Sequence, residues 1–250
     1  MNPTITNLLD EQNVLMFTIK NINVSLANAL RRVILADIPQ VVFRTFPHEK
    51  NDAVFDINTS RLNNEIIKQR LSCIPVHISD KEFPLADHIM ELDVNNDTKD
   101  IIYVTTKDFK IKNVLTGKYL SAAVVNQIFP PNNITSQFID FVRLRPRLSD
   151  SIPGEHLKMS CKFSIGNAKE NGMFNVVSTC AYGGTLDASK ISQVWMEKEK
   201  ELKDAHTKEE IAFKKKDWLL LDAKRLVLEN SFDYTIETLG VYSNLKICEM

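Results

Sequence analysis

Polar and apolar residues alternate most strictly in His156-Leu-Lys-Met-Ser-Cys-Lys-Phe163, where Leu157, Met159, Cys161 and Phe163 interleave with His156, Lys158, Ser160 and Lys162. A period of two predicts a strand with one dry and one wet face. Val14–Lys20, Val41–Phe46, Ile101–Thr106 and Phe232–Glu237 read as further strands. The stretch 174–181 is a candidate partner for the 156–163 strand, and Val76–Ile78 a short strand after Pro75. Spacings of three and four predict a helix over 24–37, with Leu26, Ala29, Leu30, Val33 and Ile34 on one face. Asn23 or Ser25 can cap it, and Pro39 stops it. A second helix is expected from Ser60 to Ser72, capped by Asn58, Thr59 or Ser60, with Leu62, Ile66, Gln69 and Leu71 inward.

From about Ala188 to Lys224 the chain is helical in pattern and highly charged. Thr207-Lys-Glu-Glu210 has capping-box spacing, so a new helix starts there. Glu199/Lys203 and Glu210/Lys214 are spaced as i,i+4 ion pairs in the favourable order. A last turn is expected near Gly240, with another helix beginning in the remaining residues. Asn95-Asn96-Asp97 and Pro130-Pro131-Asn132-Asn133 mark turns. Helices and strands are grouped rather than alternating, which points to an α+β fold.

Composition narrows the function classes. In 250 residues, 31 Lys and Arg face 32 Asp and Glu, for a net charge of −1, which disfavours a chain whose main task is binding nucleic acid. Nothing approaches about 18 consecutive uncharged apolar residues, so no membrane span is expected. The opening residues lack the basic-then-apolar pattern of a secretory leader. Cys73, Cys161, Cys180 and Cys248 are widely separated, which excludes a CxxC knuckle or a dense disulfide scaffold and suits a reducing compartment.

Chemistry-bearing motifs are scarce. There is no phosphate loop, no HExxH and no GxSxG. Cys73 with His77 is the nearest thing to a nucleophile and base, against the simpler reading of a small buried cysteine beside a surface histidine. Lys214-Lys-Lys216, with Arg225, is a possible nucleic-acid patch, but Glu197, Glu199, Glu201, Glu209 and Glu210 offset its field, as on a solvated helix face. Asp93, Asp97 and Asp100 sit in turn-like surroundings rather than at metal-ligand spacing.

Two segments stand out. Arg31 and Arg32 are adjacent on a short, strongly apolar helix, and one turn cannot hide both from the core. They are either a surface pair without a partner or an interface device, in which guanidinium forks bridge carboxylates and carbonyls. In Leu62-Asn-Asn-Glu-Ile-Ile-Lys-Gln-Arg-Leu-Ser-Cys-Ile-Pro75, Glu65 and Arg70 are too far apart to pair with each other.

Together these segments resemble a known family. Val24–Leu35 looks like the first helix of the assembly subunit of multisubunit RNA polymerases: the bacterial alpha amino-terminal domain, its archaeal counterpart and the third-largest subunit of eukaryotic polymerase II. Leu62–Pro75 is similar to that family's L-x-D-E-x-x-x-H-R-L-G-x-I-P helix, with Asn64 for Asp, Gln69 for His and Ser72 for Gly. Gly154-Glu-His-Leu-Lys158 and Phe232–Gly240 resemble its return strand and its last strand and turn. The Asn-for-Asp and Gln-for-His replacements look more like a large DNA virus enzyme than a cellular one.

The resemblance implies a discontinuous dimerisation domain, 1–48 with 155–250, around a mainly β insert domain, 49–154. It implies a non-catalytic scaffold that pairs with a smaller alpha-like subunit and seats the two largest polymerase subunits, meeting DNA and RNA only through the complex. The implied location is the nucleus for a cellular protein and cytoplasm or virion for a viral one. Asn28, Arg31 and Arg32 match positions that face the partner and the second-largest subunit. Leu26, Leu30, Val33 and Ile34 would join the dimer core, with Ala29 also at the subunit interface; such interfaces are commonly about 2,000 Å² or more in obligate pairs. Glu65, Arg70, Leu71 and Pro75 match the segment supporting the large-subunit contact, and Gly240 the last turn. No cofactor and no metal are expected, since no cysteine lies between Cys73 and Cys161. The family continues into a long dimerisation helix beyond the last turn. Here the expectation is a short helix or a longer polypeptide, with an apolar patch left exposed.

Overall fold

A computed structural model describes residues 2–80, 83–149, 151–203 and 206–250. In chain order the elements are Thr4–Glu11 (β1), Val14–Lys20 (β2), Val24–Ala36 (α1), Gln40–Val42 (β3), Ala53–Asn58 (β4) and Asn64–Ser72 (α2). His88–Asn95 (β5), Ile102–Thr105 (β6), Lys110–Asn113 (β7), Ala122–Ile128 (α3), Asp140–Leu144 (β8) and His156–Lys162 (β9) follow. The remainder are Ser164–Gly166 (β10), Val177–Leu186 (β11), Ala188–Leu202 (α4), Lys208–Leu220 (α5), Val227–Thr238 (β12) and Asn244–Glu249 (α6). Helices stand with antiparallel sheets, an α+β fold.

The chain divides into two compact units, Met1–Ile34 with Val177–Thr238 and Leu35–Val176 with Leu239–Met250. These limits differ from 48/49 and 154/155 because, within the second unit, β3 pairs with β10 and β9 with β4 and β5.

In the first unit the strand order is β1-β2-β12-β11. Leu15, Phe17, Ile19, Tyr234 and Ile236 are buried on it, and the Phe17 and Tyr234 rings stack 5.1 Å apart. Tyr234 Oη donates to the Ala27 carbonyl at 2.7 Å and so ties α1 to this sheet. Asn23 caps α1, its Oδ1 accepting from Leu26 N at 2.9 Å. Between β11 and β12 the chain makes the α4–α5 hairpin, whose core is Trp195 and Trp218 with rings 5.4 Å apart. The capping box at Thr207 and Glu210 forms as expected. Residues 204 and 205, within the expected helical stretch, lie outside the described residues.

In the second unit β4-β9-β5-β7 form one sheet, with the pairs β3/β10 and β6/β8 beside it. Leu157, Met159 and Cys161 point into the core as the alternation requires. The stretch from 177 pairs with β12 rather than with β9. α2 begins four residues later than expected, because Asn63 is the cap and accepts from Ile66 N. Asn58 Oδ1 instead closes the preceding turn onto Ser60. Ile67, Leu71 and Ser72 face inward, while Ile66 and Gln69 are exposed. Val76–Ile78 is no strand; Ile78 N donates back to the Val76 carbonyl at 3.0 Å in a tight turn, and His77 N donates to the Ile128 carbonyl at 3.0 Å.

The Gly154-Glu155 step has a steric and an electrostatic reason. A Cβ on Gly154 would sit 1.6 Å from the Asn96 carbonyl oxygen. Asn96 is itself fully buried and donates to the carbonyls of Asp100 and Leu144, both at 2.9 Å. Glu155 is buried and accepts from Arg145 N at 2.8 Å and from Arg145 Nε.

Candidate assembly interface

The expected apolar face of α1 is two faces. Ala27 and Ile34, one i,i+7 pair, are 0% and 2% exposed. Leu26 and Val33, the adjacent i,i+7 pair, remain 53% and 44% exposed, with Ala29 exposed between them. Leu30 is half-buried at the boundary. Successive helical residues are rotated by about 100°, so an apolar run wider than one stripe gives one edge to the sheet and presents the other. Ile34 therefore supports this surface from beneath rather than forming it.

The arginines differ as well. Arg31 is half-buried and forks onto Asn28 Oδ1, from Nε at 3.2 Å and from Nη2 at 3.0 Å. Burial raises the Tyr234 hydroxyl above the usual phenol range, and the nearby Arg31 charge partly offsets this. Arg32 is exposed beside the outward stripe. The stripe of Leu26, Ala29 and Val33 thus carries a cation at its edge, on a helix held from behind by Tyr234.

The second motif lies in the other unit. Glu65 is exposed and pairs with Lys68 at 3.1 Å. Arg70 Nε donates to the Phe141 carbonyl at 2.7 Å and Nη2 to the Asp140 carbonyl at 2.9 Å, which fixes β8 against α2. Leu71 is 0% exposed, so it is a core residue and no contact residue. Pro75 is half-buried. Gly240 has φ of +92°, in the left-handed region that favours glycine.

The other candidates are not gathered into a site. Cys73 is exposed and His77 half-buried, the reverse of the expected arrangement. His77 Nδ1 faces the Ile128 carbonyl at 3.2 Å, and burial holds its ring below the usual histidine range. Lys214 Nζ meets His206 Nε2 at 2.7 Å, and Lys215 lies over the Trp195 ring. Glu210 pairs with His206 rather than with Lys214. Asp93 accepts from His156 Nε2 at 2.7 Å, and Asp97 from Asn95. Among the described residues no three His, Cys, Asp or Glu side chains are grouped to hold a metal ion, and no helix is long and apolar enough to cross a membrane.

Sequence periodicity could not say which half of the α1 face is spent on the chain's own sheet; the bond that marks it comes from Tyr234, more than two hundred residues away. The buried Glu155 was visible only as part of a motif.

A family model described as the RNA polymerase Rpb3/Rpb11 dimerisation domain matches residues 16–243. The chain is similar to DNA-directed RNA polymerases I and III subunit rpac1 of Dictyostelium discoideum, at 26% identity over 191 residues, 70% of this chain and 51% of the relative. It is similar to a conjugation stage-specific protein of Tetrahymena thermophila, at 32% over 120 residues, 43% of this chain and 36% of the relative. It is also similar to DNA-directed RNA polymerases IV and V subunit 3B of Arabidopsis thaliana, at 40% over 60 residues, 24% and 17% of the two chains. The chain spans about half or less of the length of these curated relatives.

Proposed function

The chain belongs to the RNA polymerase Rpb3/Rpb11 dimerisation-domain family, and on that footing we propose that it is a non-catalytic assembly scaffold of a DNA-directed RNA polymerase. In this reading it pairs with a smaller alpha-like subunit, and the pair seats the two largest subunits. One observation carries it: the outward apolar stripe of Leu26, Ala29 and Val33 on a helix already anchored by Tyr234. Exposed apolar side chains are ordinary singly, but a continuous stripe on a fixed helix, edged by an arginine, is an interface design.

Asn28 and Arg31 are pre-paired, so the guanidinium is held in orientation before a partner arrives. Arg32 reaches out for a carboxylate or carbonyl. Glu65 is the contact residue of the second motif, whereas Arg70, itself exposed, fastens β8 to α2 and Leu71 fills the core beneath. In this reading the dimerisation domain is 1–48 with 155–250 and the insert 49–154; the compact units of the structure divide at other positions, 34/35, 176/177 and 238/239. The test is affinity purification from the native source with mass spectrometry of the eluate. Two very large subunits and one small one, with template-directed RNA synthesis, are expected. Recovery of the chain alone and monomeric overturns the scaffold reading.

A further inference from the structure

A small cleft in the second unit opens beside the end of α2. Val42, Ile74, Pro75, Phe174, Leu239 and Val241 give it apolar walls, and its volume is about 190 Å³. A cavity of about 150 Å³ holds a benzene molecule, so this one has room for a six-membered ring with one small substituent. Gln40 also lines the cleft and is only 6% exposed. Its Nε2 donates to the Asn175 carbonyl, another lining residue, at 3.1 Å. That bond fixes the amide, and it leaves Gln40 Oε1 buried without a hydrogen-bond donor. A buried carbonyl oxygen without a donor is costly, and an aliphatic or benzyl occupant would leave it so.

We infer that this cleft is an anchor pocket for a tyrosine side chain of a partner polypeptide, whose ring fills the apolar walls and whose hydroxyl donates to Gln40 Oε1. The inference rests on the assembly reading above and names the chemistry of one of its contacts. Tyrosine combines a ring of this size with a donor at its tip, and aromatic anchors of this kind dominate interface energetics. An indole carries its donor on the flank of a larger bicycle. Oε1 is closed to solvent in the free chain, so the inference requires a wall side chain to give way as the ring enters; Met173, unbranched, is the most adaptable of those lining the cleft. Cys73, exposed at the rim, gives chemical access from solvent.

The test uses the full chain with labelled Met, Ile and Val methyl groups. It is titrated with p-cresol, and with toluene and 4-methylanisole, which lack the donor. Saturable shifts at Met173, Val42 and Ile74 are expected, with p-cresol binding roughly fivefold tighter than either comparator. In Gln40→Met, which keeps length and removes the acceptor, that preference falls to unity. Absence of p-cresol binding, equal affinity for 4-methylanisole in the wild type, or a preference that survives in Gln40→Met would each overturn the pocket. No other polymerase subunit is needed, so this outcome is separate from that of the assembly experiment. The occupant is identified in the purified complex. A benzophenone is placed on Cys73 in a Cys248→Ser chain and irradiated after assembly. A tyrosine-containing peptide of another polypeptide is expected in the crosslink. A peptide of a second copy of this chain, a peptide without tyrosine, or no crosslink overturns the assignment.

Discussion

Replacing Leu26 and Val33 together by serine tests the division of α1 into an anchored and a presented face. Full burial of a Leu or Val side chain contributes about 1.5–3 kcal/mol. Leu26 and Val33 are 53% and 44% exposed, so roughly half of that, about 1 kcal/mol each, is left for a partner to collect. The double variant should then bind the small alpha-like subunit about 30-fold more weakly, since about 1.4 kcal/mol is a factor of ten. Its own stability should fall by no more than about 1 kcal/mol for each side chain, the other half of the burial, which the isolated chain already realises. Ile34→Ala is the contrasting variant. It empties a buried position and should cost the isolated chain about 2–5 kcal/mol. The assays are urea unfolding of the isolated chain followed by far-ultraviolet circular dichroism, and isothermal titration against the small subunit recovered with it. The reasoning fails if Leu26→Ser/Val33→Ser lowers stability as much as Ile34→Ala, or if its affinity is that of the wild type.

Four further outcomes are expected. Arg31→Glu with Arg32→Glu should keep the fold and reduce recovery of the assembled polymerase; normal recovery of the complex on affinity purification would refute the role of the pair. Gly154→Ala drives a methyl group onto the Asn96 carbonyl oxygen and should prevent accumulation of folded protein, whereas Glu155→Gln, which takes the charge from the Arg145 pair, should cost about 1–3 kcal/mol in urea melts. His77 sits below its ordinary pKa of 6.5 because it is buried, so the unfolded chain binds the extra proton first. Its contribution is present in full above that value and falls as pH drops below it; His77→Gln should flatten this part of the stability–pH curve, and an unchanged slope would count against the assignment.

Local patterns in the sequence translated well into local structure. The alternation over 156–163 became β9, Asn23 became the α1 cap, and Thr207 with Glu210 closed the capping box, each set by neighbours within a few residues. Errors arose where neighbouring polar residues compete for one role or where distant residues decide. The polar turn at Asn58–Ser60 imitates a helix start, yet the cap is Asn63, because Asn58 is consumed by the turn itself. β11 pairs with β12 across the α4–α5 insertion, and nothing in its own pattern names that partner. β1 was missed because its Asn7 and the bulge between Thr6 and Leu9 break the period of two. The interface residues were legible through family resemblance, but their division into surface and support was not. Leu71 and Ile34 look like any other apolar motif positions until the packing around them is known.

The helical insertion between β11 and β12 also has a spectroscopic consequence. The chain has two tryptophans, Trp195 and Trp218, and both lie in that hairpin, ring against ring. Their emission therefore reports on the hairpin. With lysines 198 and 215 stationed over the two rings, that signal will respond to salt and to lysine modification while the sheets stay intact. A fluorescence melt of this protein would follow the separation of two indoles, and the sheets would have to be followed by the amide backbone, with Tyr182 and Tyr234 reporting on the first unit's sheet alone.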